Sequence, residues 1–187
     1  MYWFQRSANH GHAGAQRVLG WWYQDAIGVP KDLQAARTWL LKAAQQGNPD
    51  AQNRLGILFM QGQGVTADDA QAVVWFSKAA EQGDGHAQAN LAAFYQVGRG
   101  VQRDSIQAYK RYRLSEQTGG EDWSGELRDL AKAMTPAEIA EAERLPMRGG
   151  RIRGGLLEKK AICWNEPRWQ LCFAVLANSF QNSPKQL

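Results

Sequence analysis

Cysteines, long apolar runs and a leader-like start are scarce or absent in this chain of 187 residues. Its two cysteines, Cys163 and Cys172, could form one bridge at most, which excludes a fold built on disulfides. The longest apolar run, residues 171–177, is far shorter than the roughly 20 residues of a membrane-spanning helix. The first residues show no basic segment followed by an apolar stretch, so the chain as given is expected to be cytoplasmic. A natural start further upstream would make it periplasmic or secreted.

Charge is unevenly distributed along the chain. Lysine and arginine number 22 against 18 aspartate and glutamate, a net charge of +4. Residues 1–146 hold 15 basic and 16 acidic side chains, whereas residues 147–187 hold 7 and 2, so the excess positive charge lies in the tail. The length favours one compact unit, and 44% hydrophobic residues exclude a wholly disordered chain.

The dominant feature is an internal repeat with a period of 36 residues. Three segments share one pattern: AQRVLGWWY from Ala15, AQNRLGILF from Ala51 and AQANLAAFY from Ala87. Leu19, Leu55 and Leu91 align within these segments, and the alignment continues through three further columns: Gly28, Gly64 and Gly100; Asp32, Asp68 and Asp104; Ala36, Ala72 and Ala108. A constant period of this length predicts a stacked repeat architecture.

The pattern within each repeat predicts two helices. Leu19 and Tyr23 are one helical turn apart, and residues 36, 39, 40 and 43 follow the spacing of a second amphipathic helix. Gly47, Asn48 and Pro49 supply a helix stop, an N-cap and a first-turn proline. Further N-caps are predicted at three aspartates, two of them with a capping-box glutamine three residues later: Asp32, Asp68 with Gln71, and Asp104 with Gln107. The fold class predicted is all-α.

These columns resemble the Sel-1-like repeat family, relatives of the tetratricopeptide repeat, over about residues 3 to 119. The chain departs from the family pattern at Ala26 and Ala92, where glycine is usual, and at Arg111, where tryptophan is usual. The resemblance implies a solenoid, a right-handed α/α superhelix of antiparallel helix pairs. It also implies a role in holding protein partners together, commonly in bacteria.

The repeat register divides the chain into units. Residues 1–11 are expected to be a half-repeat that lacks its first helix, through truncation or a late start codon, which would leave Trp3 and Phe4 partly uncovered. Residues 12–119 form three repeats: 12–47, 48–83 and 84–119. A degenerate capping hairpin follows over 120–146, with a helix starting at Thr135-Pro136. The basic Gly/Arg-rich tail, 147–187, is either an unrelated reading frame or a segment that covers a solenoid face.

A partner-binding groove is predicted on the face of the first helices that points away from the second helices. Tryptophan, arginine and methionine on such a face are typical of interface hot spots. The predicted residues are Arg17, Trp21 and Gln24; Asn53, Ile57 and Met60; His86, Ala89, Ala93 and Gln96. In the alternative interpretation, Trp21 packs against the half-repeat or the tail.

The sequence supports metal binding, catalysis and RNA binding less well than protein binding. His10 and His12 flank a predicted turn without acidic or cysteine partners, so neither a metal nor another cofactor is predicted. No nucleophile–base arrangement is evident, although cysteine-rich relatives that act on β-lactams make a hydrolase one alternative. A second alternative is RNA binding through the tail, where Arg148, Arg151 and Arg153 lie among glycines. The slightly acidic repeat region argues against nucleic acid and favours a protein or peptide partner.

Overall fold

The computed structural model describes residues 1–119 and 121–144. The predictions for the tail, its cysteines and its arginines lie outside these residues. Within them the chain forms nine α-helices and no strand, which confirms the predicted all-α solenoid. The helices are α1 Tyr2–Asn9, α2 Ala13–Asp25, α3 Leu33–Gln45, α4 Pro49–Gln61, α5 Asp69–Glu81, α6 Gly85–Val97, α7 Ser105–Gln117, α8 Ser124–Ala133 and α9 Pro136–Arg144. The boundaries proposed between repeats, cap and tail stay predictions.

Successive helices pack on each other from α1 to α7, and α8 and α9 both pack on α7. The closest associations are within the pairs α2 with α3, α4 with α5, and α6 with α7. Small residues make this possible: a Cβ placed on Gly20 would lie 2.6 Å from Leu40 Cγ, and one placed on Gly56 would lie 2.6 Å from Phe76 Cε1. The two helices of a repeat are therefore in direct contact through a large side chain and a glycine.

The repeat columns occupy equivalent environments. Leu19, Leu55 and Leu91 are each fully buried. Gly47 follows α3 in the left-handed region, as predicted, and Gly83 follows α5 in the same way. The loops between α2 and α3, α4 and α5, and α6 and α7 contain Gly28, Gly64 and Gly100, at φ of 67°, 66° and 63°. The sequence period therefore corresponds to a structural period.

The helix N-caps form largely as predicted. The side chain of Asn48 accepts a 2.9 Å hydrogen bond from Ala51 N, with Pro49 in the first turn. The capping boxes expected at Asp68 and Asp104 form in one half only, and this prediction was wrong. Their backbone N–H groups donate instead to the carbonyl oxygens of Phe59 and Tyr95, both at 3.0 Å. The preceding helix supplies the acceptor that the glutamine side chain would have offered.

The closing unit has a complete capping box. Thr135 N donates to Glu138 Oε2 at 2.7 Å, and Glu138 N donates to Thr135 Oγ1 at 3.3 Å. Leu127 and Leu130 of α8 and Met134 join Tyr112 of α7 in one buried cluster.

Among residues 1–119 and 121–144, every helix is too short or too polar to span a lipid bilayer.

Candidate partner-binding face

The predicted site residues lie on α2, α4 and α6, the first helices of the three repeats. We call the surface that these residues form the first-helix face. Most of its members are half-buried, His86 is exposed, and Asn53 and Ala89 are buried at 8% and 9% exposure. Ala89 therefore contributes little accessible surface to the face.

A cluster of polar and aromatic side chains joins α2 to α4. Arg17 lies 3.5 Å from Asp50 in an ion pair. The guanidinium of Arg54 lies over the Trp21 ring, 5.4 Å from its centroid, and Arg54 Nη1 donates to Gln24 Oε1 at 3.5 Å. The structure thus brings all three predicted residues of α2 together with two residues of α4 that the sequence analysis missed.

The indole of Trp21 has a second polar contact on its own helix. Its Nε1 donates a 2.7 Å hydrogen bond to Asp25 Oδ2, one turn further along α2. With Arg54 on the ring and Asp25 at the nitrogen, the indole is held in one orientation. Asp25 was also missed, although its spacing of four residues from Trp21 was visible in the sequence.

Charge within the cluster is balanced. Burial lowers the pKa of Arg54, Asp25 and Asp50 oppose this shift, and Arg17 adds to it. Two cations and two anions share this region, which therefore offers local polarity without a net charge. A partner of strongly acidic or strongly basic character has no electrostatic advantage here.

An asparagine pair joins α4 to α6. Asn90 Nδ2 donates a 2.9 Å hydrogen bond to Asn53 Oδ1. The pair leaves one amide N–H₂ group, on Asn53, and one amide oxygen, on Asn90, without further hydrogen bonds among the described residues. A free donor beside a free acceptor matches the two polar atoms of a peptide group.

The remaining predicted residues have mainly packing roles. Ile57 and Met60 pack against the core cluster that contains Phe76 and Phe94. Gln96 accepts a 3.1 Å hydrogen bond from the Tyr112 hydroxyl, and burial, aided by Glu126, raises the pKa of that phenol. Ala93 is a half-buried small residue on the α6 part of the face.

No group of three or more potential metal ligands is close together within the described residues. The contributions of Asp50, Arg54 and Asn90 were not predicted from the sequence. A signal existed: Arg54 and Asn90 are 36 residues apart and occupy one repeat column that is polar in two of three repeats. Only contacts between neighbouring first helices show that this column joins the site.

Comparisons with known proteins agree on the architecture. The model of the Sel1 repeat matches residues 1–12, 13–48, 49–84 and 85–115. A Sel1 repeat protein from Oxalobacter formigenes is 34% identical, with a TM-score of 0.57, over 59% of this chain and 45% of that one. A protective antigen present in uropathogenic Escherichia coli strains, displaying an SLR fold, is 34% identical, with a TM-score of 0.68, over 76% of this chain and 30% of that one. The chain thus spans less than half of either structure, and a search of curated proteins gave no match.

Proposed function

Because this chain belongs to the Sel1 repeat family, whose members generally mediate protein–protein interaction, we propose that it is a protein-binding scaffold or regulatory adaptor. Its first-helix face binds a partner peptide or a partner protein surface. Scaffolds of this family are typically non-catalytic, and the proposed mechanism makes and breaks no covalent bond.

The observation that carries the proposal is the Trp21–Arg54 contact. Tryptophan and arginine are the residue types most enriched in interface hot spots, and here they stack at 5.4 Å across two neighbouring repeats. Both side chains are half-buried, so part of each remains available to a partner. Their orientation is fixed before binding, which lowers the entropic cost of association.

The asparagine pair extends the same surface toward α6. Its free amide donor and acceptor suit the backbone of an extended peptide, which carries N–H and C=O groups on the same edge. The charge-balanced cluster next to it favours a partner segment that is polar and aromatic over one with a run of like charge. Together these groups give the face a stacking site and a hydrogen-bonding site.

Affinity capture with the full chain tests the proposal. Partners recovered by the wild-type chain are identified and quantified by mass spectrometry, and each is titrated against Trp21→Ala and against Trp21→Ala combined with Asn53→Ala. Loss of a hot spot of about 2 kcal/mol weakens binding by more than tenfold. Since Asn53 is buried, the single variant keeps the test valid if the double variant unfolds.

A matched control is an alanine substitution outside the first-helix face. Val74→Ala removes an exposed apolar side chain from α5, outside the first-helix face, and is expected to leave every affinity unchanged. Equal binding by the wild-type chain and Trp21→Ala, with both folded by circular dichroism, would refute the assignment of the first-helix face.

A further inference from the structure

One repeat column of the first helices presents a polar group to the helix before it. Its member on α4, Arg54, meets the Trp21 ring of α2 at 5.4 Å. Its member on α6, Asn90, donates a 2.9 Å hydrogen bond to Asn53 of α4. The next member of the column is Glu126 of α8, 36 residues after Asn90. The pattern therefore predicts a contact between Glu126 and α6.

The helix α6 has no side chain that can make this contact. The positions equivalent to Trp21 and Asn53 are occupied by Ala93 and Ala89. Alanine has neither an aromatic ring nor a polar side-chain atom, so neither kind of contact can form. Among the described residues, the Glu126 carboxylate has no hydrogen-bond or ion-pair partner. The contact that occurs twice along the stack is therefore left open at α8.

The Glu126 side chain lies beside a buried part of the fold. Burial raises the pKa of the Tyr112 phenol, and the charge of Glu126 adds to this shift. The Tyr112 hydroxyl donates at 3.1 Å to Gln96, a member of the first-helix face on α6. Glu126 itself is half-buried. Because its carboxylate has lost part of its hydration without gaining a cationic partner, a cation that binds beside it is favourable.

Acidic residues continue the first-helix face onto α8. Asp122 and Asp129 occupy the repeat columns of two predicted site residues, His86 and Ala93. Asp122 lies just before α8, while Glu126 and Asp129 are three residues apart within the helix and are neighbours on one side of it. This end of the face is therefore acidic, unlike the charge-balanced cluster between α2 and α4.

Two of these three carboxylates already have partners. Asp129 pairs with Lys132 at 2.8 Å, and Asp122 accepts a 2.9 Å hydrogen bond from Ser124 N. Glu126 is the one without either kind of contact among the described residues, and it is also the least exposed of the three. A cation that binds at this end of the face is therefore expected beside Glu126.

A second free group lies one helix away, on α4. Asn53 is 8% exposed, and its Nδ2 has no hydrogen-bond partner among the described residues, although its Oδ1 accepts from Asn90. The protein does not enclose this nitrogen, so a carbonyl oxygen of a bound chain can reach it. Because α6 lies between α4 and α8 in the order of first helices, an extended segment that binds Asn53 and crosses α6 reaches Glu126.

We propose that the continuation of the first-helix face on α8 binds a lysine or arginine side chain of the partner peptide. The aliphatic stem of this side chain lies over Ala89 and Ala93, and its charged group forms an ion pair with Glu126. This inference rests on the proposed function, since it takes the partner to lie along the first-helix face. It adds that the partner has a basic residue at the α8 end.

Peptide selection tests the proposal without a known partner. A phage-displayed library of random dodecapeptides is selected on the immobilised full-length chain, and the enriched peptides are sequenced. We expect these peptides to share a lysine or arginine at a fixed distance from their other shared residues. The proportion of the two residues shows whether an ammonium or a guanidinium group is preferred.

Protein variants connect this basic residue to Glu126. Selection on Glu126→Gln should still enrich peptides but without the basic position, and Glu126→Lys should enrich an acidic residue there. Glu141→Gln, the matched change at an exposed glutamate of α9, should give the same peptides as the wild-type chain. A loss of stability cannot turn a basic preference into an acidic one, so this reversal is specific to an ion pair.

The most enriched peptide then measures the strength of the contact. The peptide is labelled with fluorescein and titrated with the full-length chain, and binding is followed by anisotropy. Norleucine in place of its basic residue keeps the aliphatic stem and should weaken binding to the wild-type chain about five- to tenfold. The same replacement should leave binding to Glu126→Gln unchanged, because the interaction that it removes is already absent.

Four outcomes would overturn the proposal. Enriched peptides without a shared basic residue would contradict it and leave the proposed function of the first-helix face intact. No enrichment of any peptide by the wild-type chain would contradict both. A basic position that persists with Glu126→Gln would show that another residue binds the cation. A dimer of the chain alone, detected by sedimentation and lost in Glu126→Lys, would show that a second copy occupies the site.

Discussion

Gln82 donates a 2.7 Å hydrogen bond from Nε2 to Gln52 Oε1, and 36 residues earlier Gln46 makes the same 2.7 Å bond to Gln16. The acceptor glutamine is buried in each case, at 4% exposure. Its own Nε2 donates to a carbonyl oxygen of the preceding unit, that of Ala44 for Gln52 and that of Ala8 for Gln16. In the third repeat Thr118 replaces the donor glutamine, and Arg111 Nη1 donates to Gln88 Oε1 at 3.1 Å instead. The departure of Arg111 from the family tryptophan thus preserves a hydrogen bond to the buried glutamine.

Gln52→Leu should reduce the free energy of unfolding by about 1–3 kcal/mol, the usual cost of leaving buried polar partners unsatisfied. The change removes the acceptor for Gln82 and the donor to the Ala44 carbonyl oxygen while keeping a similar side-chain volume. Urea unfolding followed by circular dichroism measures the difference. Gln45→Leu, at an exposed position of α3, is the control and should stay within about 0.5 kcal/mol of wild type.

Gly56→Ala should be destabilising although alanine is the better helix former. Its Cβ would lie 2.6 Å from Phe76 Cε1, and overpacking of a core by a methyl group typically costs about 1–3 kcal/mol. Gly125→Ala in α8 meets no atom within 4 Å and should be neutral or stabilising by up to about 1 kcal/mol. Thermal unfolding of both variants compares the two environments, and equal effects would contradict the close-packing argument.

Ala26→Gly should stabilise the chain by about 1 kcal/mol, because an L-residue in the left-handed region is strained. Ala26 ends α2 at φ 58° and is the single non-glycine residue with positive φ within the described part of the chain. Gly62 ends α4 in the same conformation, at φ 66°, so Gly62→Ala should lose a similar amount. Opposite shifts of the urea midpoint are expected, and shifts of the same sign would count against backbone strain.

The half-buried N-cap of α6, Asp84, predicts a pH dependence. Burial raises the pKa of Asp84, while hydrogen bonds from the backbone at Ala87 and His86 and the charge of His86 oppose that shift. A raised folded-state pKa means that ionisation costs stability at neutral pH, and this cost disappears as the pH falls to about 3.9, the value for an unfolded aspartate.

Asp84→Asn should therefore exceed the wild-type chain in stability at pH 7, because asparagine caps equally well and Asn48 fills the same position in α4. The difference should shrink as the pH is lowered. Urea titrations of both proteins between pH 4 and 7 measure it. A difference that grows toward low pH would show that the charge of Asp84 is favourable in the fold.

Much of the fold was predictable because the repeat columns encode it locally. A glycine, a cap residue and an apolar spacing each act within one or two helical turns, so Asn48, Pro49 and Leu55 revealed their roles in sequence. The capping boxes at Asp68 and Asp104 were wrong because their backbone N–H groups bond to carbonyl oxygens of the preceding helix, and that contact depends on how the loop closes. The site could be assigned to a face of the first helices, but its contacts could not.

The sequence by itself determined the period, the helix pairs and the columns that face the core, since these follow from local propensity and from the burial that a regular pattern requires. Tertiary structure alone decided which polar residues of different helices meet, such as Arg54 with Trp21 of the preceding repeat and Arg111 with Gln88 of its own repeat. The reason is physical: these contacts depend on distances between helices in the stack, which local propensity does not set.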